Sequence, residues 1–309
     1  ESGNLPPSLI NTGWGLGLVP SNIPEAHGGF GAHSALNGAL AYEALAYGDL
    51  SATLALLTPA LFAFPLLECG DDEQKQKWLP KFCDEAYFPA SAALIEPRIH
   101  FDPNALKTTA TLDGDHYTLN GAKCFVPLAR AAHALLIYAN ENGATQTFIV
   151  EQGAEGLSIG EREGNMGLKA LPTYELTLSD CRAPRANRVG GAAGIAFAKL
   201  QNYSRVGLAA MAVGVARAAY EYARDYAKER HAFGEPIATK QAIAFMLAEM
   251  AIEVDAARLM VWEAAWKLDK GQDATPEAYL AKMTADDMAL RVTDNAVQAL
   301  GGHGYIRDH

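Results

Sequence analysis

The sequence predicts a helical region, a small antiparallel β region and a helical bundle, in that order. Two changes of hydrophobic period and the turn residues around them carry that prediction. From about Leu36 to Ala92 the chain is rich in Ala and Leu, and Asp71-Asp72-Glu73-Gln74 opens a helical pattern running through Trp78 and Phe82. From about Ala93 to Pro184 the period falls to two. TTATLDGDHYTLNG (Thr108–Gly121) reads as a hairpin turning at Asp113-Gly114, and runs at Ala134–Ala139 and Thr147–Val150 flank a second turn at Asn140–Gly143. From Ser204 the helical period returns. Ile243, Met246, Leu247, Met250, Val254, Ala257 and Val261 follow three- and four-residue steps, and Met283, Leu290 and Val297 recur seven apart. Long helices are expected over 204–229, 240–269 and 276–300. A bundle wants a fourth helix, which this reading expects beyond His309. The domains are drawn at 1–92, 93–195 and 196–309, with the first helix and the last helix or helices expected to lie outside the sequence.

The chain has 309 residues, half of them apolar, enough for a sizeable core. Its 25 Lys and Arg against 36 Asp and Glu give −11, with no basic run to track a phosphate backbone, so nucleic acid is not expected as a partner. Leu50–Leu67 has the hydropathy of a membrane span, but Pro59 and Pro65 are expected to interrupt it, and a buried helix and turn is the better reading. ESGNLPPSLINTGW has neither a basic nor an apolar stretch, so no signal peptide is expected. Cys69, Cys83, Cys124 and Cys181 form no CxxC pair and read as reduced structural thiols; no HExxH-like spacing points to a metal. GWGLG lacks the strand-turn-helix setting of a dinucleotide fingerprint and reads as a turn. His100 and His303 read as structural or solvent-facing.

Five motifs carry a resemblance. Glu96-Pro97 with Asp102 and Lys107-Thr108, then DGDHYTLNGAKCFVP, NMGLKALPTYELTLSDCRAP, RHAFGEPIATKQAIAFMLAEM and QALGGHGY, resemble in order the acyl-CoA dehydrogenase family, over Gly13 to Tyr305. The resemblance implies an acyl-CoA dehydrogenase-like fold: helical N-terminal domain, central antiparallel β domain, C-terminal helical bundle. It implies FAD as cofactor and α,β-dehydrogenation of an acyl-CoA, with electrons passing to an electron-transfer flavoprotein. It also implies a homodimer or homotetramer, or a hetero-oligomer, in the bacterial cytoplasm or the mitochondrial matrix.

By that resemblance Arg230, Phe233, Gln241, Gln298 and Gly302 approach the FAD of a neighbouring subunit, and Leu94, Ile95, Phe125 and Pro127 line the flavin. Phe101, Tyr203 and Arg205 fall at the substrate. Taken alone, Arg230 reads first as a surface ion-pair residue, and Gly301-Gly302 as a helix end; within RHAFG the functional reading is preferred. The chain departs from the family at Ile95 (commonly Thr), at Phe125-Val126-Pro127 (commonly Trp-Ile-Thr) and at Phe101 (commonly Ser). These changes remove side-chain donors and add bulk. They open two alternatives, a non-catalytic subunit of a heteromeric dehydrogenase and a flavin oxidase on the same fold. The usual base, a Glu, is expected beyond His309. The alternative position is Ser204, which cannot serve, and Glu96 reads as structural. Residues 1–309 alone are therefore expected to be catalytically incompetent.

Overall fold

The computed structural model describes residues 5–306. Its helices are α1 (Pro7–Trp14), α2 (Ala35–Gly48), α3 (Leu50–Leu57), α4 (Ala60–Cys69), α5 (Asp72–Trp78), α6 (Phe197–Glu229), α7 (Gln241–Asp269) and α8 (Thr275–Leu300). Its strands are β1 (Ala90–Ala93), β2 (Thr109–Asp113), β3 (His116–Pro127), β4 (Ala134–Glu141), β5 (Ala144–Glu151), β6 (Leu157–Arg162) and β7 (Thr173–Pro184), with the two-residue β8 (His231–Ala232) and β9 (Glu235–Pro236). Two compact units result. One is the chain up to His33 with Ser51–Phe197; the other is Ser34–Leu50 with the chain from Ala198 onward.

In the first unit α4 and α5 bring aromatic residues together. Phe62 lies 5.3 Å from Trp78 and 5.7 Å from Phe82, and Phe82 meets Phe88 edge-on at 5.3 Å. Asp71 caps α5 by accepting from the Gln74 N–H, while Gln74 returns the capping-box bond. The Gln74 amide also donates to the carbonyls of Ala186 and Arg188, tying this helix to the end of the β region. Pro59 marks the 45° break between α3 and α4. Pro65, expected to interrupt the segment, lies inside α4, which corrects that reading. Among the described residues no single helix is long and apolar enough to cross a membrane, although the bent pair α3–α4 passes by length and composition.

The sheet runs β1-β4-β2-β3-β7-β6, with β5 on β4. It is mainly antiparallel, but β1 joins β4 in parallel, as does Thr109 of β2 opposite Asn140. The first hairpin turns one residue later than expected: Asp113 pairs His116, and Gly114 takes the left-handed first central position. The second turns at Asn142-Gly143, both at positive φ, which fits the right-handed strand twist. Tyr117, Leu119, Ile137, Phe148, Leu176 and Leu178 fill the core beneath the sheet.

In the second unit α6, α7 and α8 match the expected helices, except that α6 starts at Phe197 instead of Ser204. α2 packs with α6–α8 and lends Ala35 and Ala39 to their core, a helix the sequence reading did not assign to the bundle, while the helix expected beyond His309 lies outside the described residues. A Cβ on Gly214 of α6 would lie 2.3 Å from the Glu43 carbonyl, so only glycine lets α2 come this close. The Asp269 carboxylate, at the end of α7, accepts from the N–H groups of Ala35 and Leu36 and from the Ser34 hydroxyl, capping α2 from a distant helix.

Candidate functional site

The loop after β1 carries Leu94, Ile95 and Glu96, and it is pinned from within. The Leu94 carbonyl accepts from Lys123 Nζ at 3.1 Å, and the Ile95 carbonyl from the Cys124 N–H at 3.0 Å. Glu96 is buried and fully engaged. It accepts the Lys107 and Thr108 N–H groups at 2.7–3.0 Å, with Lys123 Nζ at 3.2 Å and Arg98 Nε at 3.1 Å. Burial pushes its carboxyl upward, but those hydrogen bonds and the Lys123 charge outweigh burial and hold it at about 2. A carboxylate that acidic and that occupied is no proton acceptor at neutral pH, in agreement with its structural reading. Lys123, wholly buried, is pushed down to about 8 by burial and partly restored by Glu96.

β3 carries the aromatic position of the FVP motif, and it does so on a bulge. Lys123 pairs Leu176 and Val126 pairs Tyr174, so Cys124 and Phe125 face Glu175 alone. Phe125 takes φ 53, a left-handed conformation that costs an aromatic residue about 1–2 kcal/mol. The bulge turns its ring outward, 53% exposed, while Cys124 and Val126 stay buried. The carboxylate of Glu163 accepts the Phe125 N–H with both oxygens at 3.1 Å. Pro127 ends the strand opposite Thr173, and its carbonyl accepts from Ser91 at 2.7 Å. Ile95, also exposed, lies on the loop that Cys124 holds, so Leu94, Ile95, Phe125 and Pro127 are brought together. Phe101 lies in the following loop under the Arg98 guanidinium, 5.7 Å from its ring centroid; Arg98 also donates to the carbonyls of Asp102 and Ala105.

The helical unit holds the other predicted residues, at two ends. Arg205 stacks on Tyr279 with the guanidinium carbon 3.7 Å from the ring centroid, and it donates to Asn202, whose amide donates to Thr275. Tyr203 is half-buried with Lys199 over its ring; Ser204 is exposed. Arg230 lies 25 residues further on, one residue past the end of α6 and roughly 37 Å along its axis. There β8 and β9 form a hairpin whose turn is Phe233-Gly234, both at positive φ. Phe233 is 96% exposed. Gln241 begins α7 beside this hairpin, and Gln298 lies in the last turn of α8. The five-residue turn after α8 returns to the same end, with His303 6.1 Å from Tyr226 near the end of α6. Gly301 is the residue at positive φ; Gly302 has open space where a side chain would stand.

The residues that sequence reasoning missed are Glu163 and the Glu96–Lys123 pair. The signal for Lys123 was available: in YTLNGAK it shares the face of Tyr117 and Leu119, so an inward lysine had to find a carboxylate. Nothing in the sequence marked Glu163, because the bulge it serves carries no glycine.

The family models match in chain order: the N-terminal domain of acyl-CoA dehydrogenase over residues 1–86, the middle domain over 91–181 and the C-terminal domain over 194–309. A curated relative, the caffeyl-CoA reductase-Etf complex subunit CarC of Acetobacterium woodii, is 36% identical, covering 100% of this chain and 83% of its own. The solved butyryl-CoA dehydrogenase of Megasphaera elsdenii is 34% identical with a TM-score of 0.90, covering 99% of this chain and 83% of its own. A structure described as an FAD complex of PigA is 28% identical with a TM-score of 0.91, covering 99% of this chain and 82% of its own. The chain therefore belongs to the acyl-CoA dehydrogenase family, oxidoreductases acting on acyl-CoA.

Proposed function

We propose that this protein carries out FAD-dependent α,β-dehydrogenation of an acyl-CoA to the 2-enoyl-CoA and passes the electrons to an electron-transfer flavoprotein. The observation that carries this reading is the exposed apolar platform of Ile95 and Phe125, the latter on a strained bulge of β3 between the buried Cys124 and Val126. Two exposed apolar side chains fixed by backbone bonds fit a planar ring system, and the exposed Arg230, which has a planar fork of donors, fits a pyrophosphate. FAD, the family's cofactor, supplies the hydride-accepting chemistry when bound. The chain's own part is to orient. Leu94, Ile95, Phe125 and Pro127 define the ring's plane, Arg205 presents a fixed cation beside Tyr203, and Phe101 adds bulk on the loop where acyl-CoA would enter. Neither Glu96, saturated and acidic, nor Ser204 removes the α proton. The relative named as a subunit of a reductase-Etf complex supports the choice of electron partner.

Two features support a homodimer or homotetramer. Arg205, in α6, and Arg230, just past its end, are too far apart to flank one flavin ring, so the Arg230 end, with Phe233, Gln241, Gln298 and Gly302, is read as serving another copy. In addition, α7 and α8 expose apolar rows at seven-residue spacing, Phe245-Ile252-Leu259-Trp266 and Met283-Leu290-Val297. Both rows lie opposite the buried faces of their helices and flank the Arg291–Glu253 bridge, forming a surface on the order of that which a stable interface buries per partner. A second copy presenting the same rows is the occupant proposed. Fatty-acid metabolism, in the cytoplasm or the mitochondrial matrix, is the setting this activity implies.

The purified protein should be yellow, and its flavin spectrum should bleach anaerobically when an acyl-CoA is added. Bound flavin that no acyl-CoA bleaches would overturn the dehydrogenase reading. Leu259→Lys with Leu290→Lys should reduce the mass measured by light scattering; an unchanged mass would overturn the proposed interface.

A further inference from the structure

We infer that Glu163 is a positioning residue for the flavin platform, its carboxylate latching the bulged Phe125 in the left-handed conformation that aims the ring outward. The inference rests on the reading above that Phe125 faces the flavin.

The irregularity is doubled. On one side of β7 the pairing with β3 skips from Lys123/Leu176 to Val126/Tyr174; on the other, the pairing with β6 skips from Ile159/Leu176 to Arg162/Tyr174. Glu175 thus has a bulge on either side, and Glu163 follows directly after the second. Its backbone is fixed, since its N–H donates to the Thr173 carbonyl at 2.9 Å. Because β7 lies between β6 and β3, the Glu163 side chain spans β7 to reach the Phe125 N–H. That N–H belongs to the bulge and has left the strand ladder. Among the described residues no cation pairs with Glu163, so an ion pair does not account for its carboxylate. Phe125 needs such support because its φ of 53 favours glycine, and the bulge has none. Val126 on one side is buried in the sheet core and cannot yield; the left-handed residue is the one free to relax. A relaxed Phe125 would swing its ring off the platform.

The test uses holoprotein and two readouts besides turnover, the FAD dissociation constant and the visible circular dichroism of bound flavin. Phe125→Ala tests the platform itself and should alter both. Glu163→Ala should weaken FAD about tenfold and change the dichroism in the same sense, whereas Glu163→Gln, which keeps one acceptor oxygen, should stay within about threefold of the parent. In a Phe125→Gly background the latch is superfluous, so adding Glu163→Ala should change neither readout. If Phe125→Ala alters both readouts and Glu163→Ala neither, the latch is wrong and the platform stands. If Phe125→Ala also leaves both unchanged, the flavin-facing reading fails. Should Glu163→Ala yield no soluble holoprotein, the glycine pair decides: equal FAD affinity supports the latch, and a further loss overturns it.

Discussion

Among the described residues each unit holds one buried carboxylate between two cations, and the pair shows how surroundings set the worth of the same charges. Glu96 serves Lys123 and Arg98 within the β-bearing unit; Glu43 serves Arg217 and Arg258 between α2, α6 and α7. Glu96 also accepts two backbone N–H groups, and Lys123 has no exposed surface at all. The Arg217 and Arg258 side chains keep 38% and 18% of theirs, and each has a second carboxylate, Glu221 and Asp255 respectively. With the Glu96 charge removed, Lys123 would have no water and only the Leu94 carbonyl as partner, whereas Arg217 and Arg258 would each keep water and a second carboxylate.

The contrast is open to test. Glu96→Gln should be the most damaging change, costing about 3–5 kcal/mol in chemical unfolding, because the buried Lys123 must then either stay charged without its counter-ion or give up its proton. Adding Lys123→Met should recover part of that loss; no recovery would mean that the loop bonds to Lys107 and Thr108 dominate instead. Acid titration should report the same site. The Glu96 carboxyl, at about 2 in the folded protein against 4.5 unfolded, contributes on the order of 3 kcal/mol above pH 4.5, lost as pH falls through 4.5 toward 2. Glu96→Gln should flatten that window, and an unchanged acid profile would show that other carboxylates control it. Glu43→Gln should cost less, about 1–2 kcal/mol, since both guanidinium groups retain partners. A loss equal to that of Glu96→Gln would erase the distinction. Smallest is Asp269→Ala, which leaves the Ser34 cap but frees the N–H groups of Ala35 and Leu36 and should cost about 1 kcal/mol, read as a lowered Tm.

What the sequence disclosed, and what it did not, follows from how local each signal is. The β region was legible because Gly114 and Asn142-Gly143 supply the positive φ that short hairpins require. The long helices were legible from period, within a few residues at their ends. The destination of α2 was not, because an Ala-rich helix says which face is apolar without naming the partner; Gly214 and Asp269, far along the chain, decide it. Pro65 escaped because a proline within a helix is tolerated where packing holds the helix on both sides of it. At the site, the motifs located Phe125, Arg205 and Arg230, but the strain at Phe125 and its remedy at Glu163 are backbone facts without a local composition signal.

The Asp269 cap on α2 also has a consequence in time. Ser34 caps α2 locally by accepting from the Asn37 N–H, but Ser34 and Asp269 are separated by 235 positions, so at about 5–20 residues per second roughly 10–50 s pass on the ribosome before the Asp269 carboxylate can join that cap. During that interval the chain of the first unit emerges on both sides of α2, and α2 has not yet met α7 and α8, which begin only at Gln241 and Thr275.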